Sequence, residues 1–453
     1  MENGKRNSFN IIWFRLFLTA VFAICCVCGT FVPAFAAAPP LTAEAAILID
    51  GKTGNILFGK NEDKVMYPAS TTKIMTAIVA LDAVDKGEIS LDQRLTLSQG
   101  AYDTLAIDGS SIALKVGEEM TLKNLLEGLL IASGNDAAVT IAEGISGSID
   151  SFVARMNEKA TEIGLENTHF VNPHGLHHEQ HYTTPRDMAK MAHYAMQRET
   201  FCGIVECAHI YLPATNMSEQ RYYINTNNLV SRMRYPYYFY DYATGIKTGS
   251  TSEAGYCLVS SAEKGDKSVI AVLFNASDMS VSHNESKELL EYGLTDFSVQ
   301  RLAKRDDIFG EVKVKQAADG TDHLLLSAEK NLDVLFPRGG DLSKVQITTD
   351  IPEKIYAPIK AGQIVGKAIF TYGGNKVGEV NLISSVELDR HFLGFIASFG
   401  EWLWNFKVVK IVVYVAIGLV VGFVSLIVIG FVRALKKSKR KRRRSTRYSP
   451  PRY

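Results

Sequence analysis

A serine hydroxyl three residues ahead of a lysine is the first feature of this 453-residue chain that suggests covalent chemistry. Ser70-Thr71-Thr72-Lys73 stands at the start of an expected helix. A serine hydroxyl is a weak nucleophile until a base takes its proton. On a helix the residue at i+3 shares the serine's face. A lysine buried there, near another cation, has its pKa lowered and can be that base. The helix N-terminus favours negative charge developing nearby. Alone, the motif is weak, because a solvated helix lysine explains Lys73 as well. Ser133-Gly134-Asn135 is the second motif. Ser133 suits a proton relay and Asn135 the holding of a substrate amide, although a helix cap would use the same tripeptide. The third is Lys247-Thr248-Gly249-Ser250. A strand edge with a small Gly249 lets a peptide lie alongside, Lys247 brings positive charge for a carboxylate, and the N–H groups of Ser70 and Ser250 suit an oxyanion hole. A plain turn is the competing reading. In this order, 63 and then 114 residues apart, the three motifs are hard to ascribe to chance.

The elements needed to bring them together are legible. Ala45–Asp50 and Ile56–Gly59 read as strands joined by Gly51-Lys52-Thr53-Gly54. Ile74, Ile78 and Leu81 recur at helical spacing, predicting a helix from Ser70 to about Val84. Further helices are expected near 121–131, 136–144 and 148–163, and one from Thr184, with Pro185 at its first position. Gly255–Ser261 and Ser268–Asn275 read as a hairpin, with a last helix near 284–297 packing back on the sheet. Strands, then many helices, then strands give an α+β fold with a largely antiparallel sheet. Between about 307 and 385 helical periodicity gives way to short strands between Gly, Asp and Asn turns. That predicts a small all-β domain, whose simplest role is a stalk.

Charge is unevenly spread. Residues 38–410 carry about −12, while eleven Lys/Arg crowd the last 21 residues. A nucleic-acid binder would put its excess positive charge on the folded part, so that class is disfavoured. Residues 1–37 read as a secretory signal, with Lys5 and Arg6 before an apolar run and small residues at Ala36-Ala37-Ala38. Ile411 to Val432 is 22 uncharged residues, enough to span a bilayer. The basic run 433–453 follows at once and is expected to stay cytoplasmic, next to anionic membrane lipids, with the body of the chain outside. Phe392, Phe395, Phe399, Trp402 and Phe406 recur at helical spacing across 388–407, which suits an interfacial helix. Cys202 and Cys207 are close enough in sequence to pair, though spacing does not establish it. His174, His177, His178 and His181 have a spacing that would suit zinc on a helix, but Pro173 and Gly175 argue against a helix there. No metal or other cofactor is expected.

These motifs resemble those of the penicillin-interacting serine acyl-transferases. The similarity is greatest to low-molecular-mass penicillin-binding proteins that are serine-type D-alanyl-D-alanine carboxypeptidases. It extends to Tyr67-Pro68-Ala69-Ser70 and on to Ala77, to Gly134, to Phe170–Leu176 with His181–Thr184, and to Ile359–Gly366. It covers roughly 42–406. The resemblance implies a transpeptidase-type catalytic domain at 38–300 and a small β domain at 305–386. It also implies a mechanism. Ser70 would attack the penultimate D-alanine of a peptidoglycan stem pentapeptide, with Lys73 as general base and Ser133 as proton relay. Asn135, Lys247, Thr248, Gly249 and Ser250 would bind substrate, and β-lactam antibiotics would acylate Ser70. A DD-endopeptidase or weak transpeptidase would use the same residues, and a decayed, membrane-anchored scaffold is the non-catalytic alternative. A class A β-lactamase would need a deacylating glutamate in an E-x-x-L-N setting, which Glu166-Asn167 does not match. The family commonly ends in an interfacial helix, so the full span is a departure that implies permanent attachment.

Overall fold

The computed structural model describes residues 38–107, 109–390, 404 and 406–445. The expected signal segment 1–37, all but a few residues of the expected interfacial helix 388–407, and the tail end 446–453 lie outside the described residues. The described chain divides into two compact units. One runs up to Lys304 and adds Lys330–Thr348 and Ile369–Val380; the other takes Arg305–Glu329, Thr349–Ala368 and the chain from Asn381.

The first unit opens with strands β1 (Ala45–Asp50) and β2 (Ile56–Lys60). The longer helices that follow are α1 (Lys73–Asp85), α2 (Leu122–Ile131), α3 (Asn135–Ser146), α4 (Ile149–Glu162) and α5 (Pro185–Ala195). A short α6 (Glu199–Val205) and a hairpin of β3 (His209–Leu212) and β4 (Arg221–Ile224) come next. Three long strands then run in sequence, β5 (Ala243–Thr251), β6 (Gly255–Lys264) and β7 (Lys267–Ala276), before α7 (Met279–Thr295) and β8 (Phe297–Ala303). The main sheet is antiparallel, in the order β2-β1-β7-β6-β5, so β5 is an edge strand.

Both faces of the sheet are covered, and β1 shows how. All six of its residues are buried. Successive side chains of a strand point to opposite faces. Ala45, Ile47 and Ile49 join a core with Ile74, Ile78, Leu126 and Phe152 from the helices on one side. Ala46 and Leu48 join a second core with Leu289, Leu290 and Leu294 of α7 on the other. The expected return of the last helix onto the sheet is thus observed. Helix α1 lies inside the first core, with every residue from Lys73 to Ala83 buried. Its first residue, Lys73, is buried with the rest. The buried Asp50 carboxylate at the end of β1 accepts the N–H of Leu335, 3.1 Å away, from the Lys330–Thr348 segment.

The second unit contains β9 (Ile308–Lys315) and β10 (His323–Ala328), paired antiparallel. Within the same unit Lys354–Tyr356 runs parallel to β9, and Leu382–Ser384 pairs with β10. This is the all-β part expected from the sequence. Helix α8 (Lys407–Ser445) is the one helix among the described residues long and apolar enough to cross a membrane, and its side chains from Ile411 to Val432 are largely unburied.

Candidate active site

Ser70 does not begin the α-helix. It sits in a single 3₁₀ turn, Ala69–Thr72, which passes directly into α1 at Lys73. Ala69 has φ +47°, a left-handed conformation that alanine rarely adopts. Such a residue persists only where its surroundings hold it, and the contacts that do so are present. The Thr71 hydroxyl donates to the Pro68 carbonyl at 2.6 Å, and the Thr72 hydroxyl donates to the Ala69 carbonyl at 2.8 Å. His181 supports Thr72 from behind, its Nε2 lying 2.8 Å from Thr72 Oγ1. Since the Val171 N–H donates to His181 Nδ1 at 3.1 Å, the ring proton resides on Nε2 and points at Thr72. Burial pushes the imidazole pKa down to about 3, so the ring is neutral. Gly175 closes the turn from another side. A Cβ there would lie 1.8 Å from the Ala69 carbonyl oxygen, and its φ is +89°.

Lys73 is fully buried and makes three hydrogen bonds, to Ser70 Oγ at 2.9 Å, Asn135 Oδ1 at 2.7 Å and the His174 carbonyl at 2.7 Å. Burial lowers its pKa well below the lysine range; Lys247 pushes in the same direction and the Asp136 carboxylate opposes it. The partner set fits both protonation states. A neutral amine keeps two N–H groups for the fixed oxygens of Asn135 and His174, and its lone pair can accept from Ser70, whose hydroxyl works as donor or acceptor.

Asn135 begins α3, after a turn in which the buried Ser133 takes φ +63°. The Asn135 N–H donates to the Ser110 carbonyl at 2.8 Å, and the Gly134 N–H to the Gly128 carbonyl at 3.1 Å. Asp136, which the motif reading did not single out, secures this corner. Its buried carboxylate accepts from Ser111 Oγ at 2.5 Å, from Ile112 N at 3.0 Å and from Leu114 N at 2.9 Å. That ties the 110–114 loop to the start of α3. An acid in the first turn of a helix was the available signal.

Lys247-Thr248-Gly249-Ser250 lies within edge strand β5 rather than in a turn. Gly249 brings it against the serine, since a Cβ there would meet Ser70 N at 2.9 Å and Thr71 N at 3.0 Å. Thr248 Oγ1 donates to Thr226 Oγ1 at 2.8 Å, and Ser250 is exposed. Lys247 is fully buried, donates to the Thr248 carbonyl at 2.9 Å, and is pushed by burial down to about 7. Ser70, Ser133, Thr248, Gly249 and Ser250 thus border one cleft of about 250 Å³. Lys73 and Asn135 are buried at its base, next to Ser70. A larger cavity of about 500 Å³, walled by Ile49, Ala189, His193 and Tyr194, contains none of the three motifs.

The four clustered histidines serve the loop beside the turn. His174 Nδ1 accepts from Leu176 N at 3.2 Å, His178 Nδ1 accepts from Gln180 N at 3.1 Å, and His177 packs edge-on against Tyr67. No group of three metal-ligating side chains forms among the described residues. Cys202, Cys207 and Cys257 are free thiols.

A serine and a buried lysine on one turn, a polar Ser-Gly-Asn corner and a lysine-bearing edge strand define a serine acyl-transferase site on a penicillin-binding fold. Comparison with known proteins makes this specific. Residues 33–278 match the D-alanyl-D-alanine carboxypeptidase peptidase family, and 297–390 match the C-terminal domain of penicillin-binding protein 5. The chain is 36% identical over 362 residues to the D-alanyl-D-alanine carboxypeptidase DacF of Bacillus subtilis, covering 80% of this chain and 90% of the relative. It is 33% identical over 377 residues to DacC of Escherichia coli, covering 82% and 89%. Among solved structures it is similar to penicillin-binding protein 5 from Haemophilus influenzae, with TM-score 0.66 and 28% identity over 78% of this chain and all of that one. It is also similar to the Streptomyces K15 DD-transpeptidase, with TM-score 0.52 and 32% identity over 56% of this chain and 99% of that one. The chain belongs to the D-alanyl-D-alanine carboxypeptidase family, a family of serine hydrolases that work through an acyl-enzyme.

Proposed function

We propose that this protein removes the terminal D-alanine from peptidoglycan stem pentapeptides, with Ser70 as nucleophile and Lys73 as general base. The observation that carries the reading is the 2.9 Å contact between Ser70 Oγ and a fully buried Lys73 Nζ, beneath an edge strand free to receive an extended peptide. The substrate lies along β5, its acyl carbonyl over the N–H groups of Ser70 and Ser250. Ser70 Oγ bonds to the carbonyl carbon of the penultimate D-alanine as its proton passes to Lys73. The oxyanion collapses, the C–N bond breaks, and the departing nitrogen takes a proton through Ser133. Thr248 serves the carboxylate end of the leaving D-alanine, with the buried Lys247 behind it. Asn135 holds Lys73 and the stem-peptide amide in register. Water then attacks the ester, Lys73 again takes the proton, and Ser70 is regenerated. A β-lactam, which presents an amide and a carboxylate in the same arrangement, acylates Ser70 and occupies the cleft. The similarity to a DD-transpeptidase favours one variation, in which an amine replaces water as acceptor.

The catalytic unit is held at the membrane by α8, with its basic end cytoplasmic and the active site outside the cell. The test of function uses the full chain in detergent and a peptide ending in D-Ala-D-Ala. Release of D-alanine by the parent and none by Ser70→Ala is the expected result. Equal release by both would remove Ser70 from the mechanism, and no release by the parent would overturn the reading.

A further inference from the structure

The carboxylate released with the leaving D-alanine needs a cation it can touch, and Lys247 is poorly placed to be that cation. Its ammonium is fully buried and is occupied by the carbonyl of its own neighbour, Thr248. The wall of the cleft holds another candidate. Arg234 lines the same cleft as Ser70, Thr226, Thr248 and Ser250. It comes from the Tyr-rich segment that leads from β4 into β5, and it is exposed. Among the described residues it makes no hydrogen bond, ion pair or ring contact. Its neighbour Arg232, exposed on the same segment, is engaged elsewhere. Arg232 pairs with Asp241 at 2.8 Å, stacks over the Phe239 ring at 4.1 Å and does not border the cleft.

The remaining lining residues leave Arg234 unopposed. No Asp or Glu borders the cleft among the described residues, and His283 is neutral. Its Nε2 accepts from Asn228 N at 3.3 Å, which leaves the proton on Nδ1, facing the Met279 carbonyl at 2.9 Å, and burial lowers its pKa. Arg234 is therefore the one fixed charge on the described wall. A guanidinium can grip both oxygens of a carboxylate, and it keeps its charge at any pH the enzyme meets. Thr226 and Thr248 lie on the same wall and suit the same anion with hydroxyl donors.

We propose that Arg234 binds the free C-terminal carboxylate of the substrate, and so selects chain ends over internal peptide bonds. Lys247 then acts from behind Thr248 as a buried source of positive potential. This rests on the carboxypeptidase reading, and the test separates the two. Full chains carrying Arg234→Ala, Arg234→Lys and Arg232→Ala are compared on two peptides, one ending in D-Ala-D-Ala and the other with that end converted to the amide. Arg234→Ala is expected to lower kcat/KM on the free acid by about 10- to 100-fold, mainly through KM, as befits a lost charged hydrogen bond. It should lower the amide's rate hardly at all, so the two changes are not additive. Arg234→Lys should recover part of the loss, and Arg232→Ala should match the parent on both. An equal fall on both peptides, or no fall on the acid, overturns the proposal. If the parent releases no D-alanine, the carboxypeptidase reading has failed instead. Acylation by benzylpenicillin and by its methyl ester then decides for Arg234 by the same pattern.

Discussion

At the scale of single residues, the site works by holding charge away from water. Lys73 and Lys247 are both fully buried and both have lowered pKa values. His174 and His181 lie near Lys73, each pushed down to about 3 by burial first and by neighbouring positive charge second. In the unfolded chain a histidine titrates near about 6.5. A depressed native pKa means that the unfolded state binds more protons over this interval. Stability from these two rings is therefore complete above pH 6.5 and is lost as pH falls towards 3. Denaturant unfolding at several pH values should show that slope, and His181→Gln should reduce it by one proton's share. An unchanged slope would mean that His181 titrates normally. Ser70, Lys73, Ser133, Asn135 and the Lys247–Ser250 stretch were legible because their types and spacing form a pattern. Asp136 and Arg234 were not. An acid in a helix's first turn and an arginine in a Tyr-rich run are ordinary until the fold shows what they face.

At the scale of elements, the helix expected from Ser70 begins at Lys73. The periodicity of Ile74, Ile78 and Leu81 matches the helix, but no local signal marks an alanine at φ +47°. That conformation is imposed from outside, by Thr72, His181 and Gly175. Gly175→Ala would drive a methyl into the Ala69 carbonyl, where the open distance is 1.8 Å. The turn carrying Ser70 would have to move, and misplacement of about 1 Å costs on the order of 100-fold in rate. Penicillin labelling of the variant should fall by at least that factor, at unchanged α-helical content. Labelling at the parent rate would show that the turn does not depend on this contact. The hairpin of β6 and β7 was readable from alternating apolar residues. Strand β5 was less so, because Lys247-Thr248-Gly249-Ser250 has the composition of a loop and is a strand only through its pairing with β6.

At the scale of the whole molecule, the apolar run and its following basic residues were plain in the sequence, and they form the continuous helix α8. A chain stopped before Lys407 should appear in the soluble fraction when cells are lysed, while the parent sediments with membranes. Co-sedimentation of both would assign attachment to another segment. The tie between the two ends of the first unit was not readable, because nothing in a linear pattern says that Leu335 returns to Asp50. Its consequence is one of timing. Strand β1 pairs with β2 on one side but needs β7 on the other, and Asp50 at its end waits for Leu335, 285 residues later in synthesis. Such long-range closure is slow, because the entropy of the loop must be lost before any contact rewards it. A chain made from its N-terminus would therefore present its most buried strand first and cover it among the last, and for that interval chaperones and proteases would compete for it.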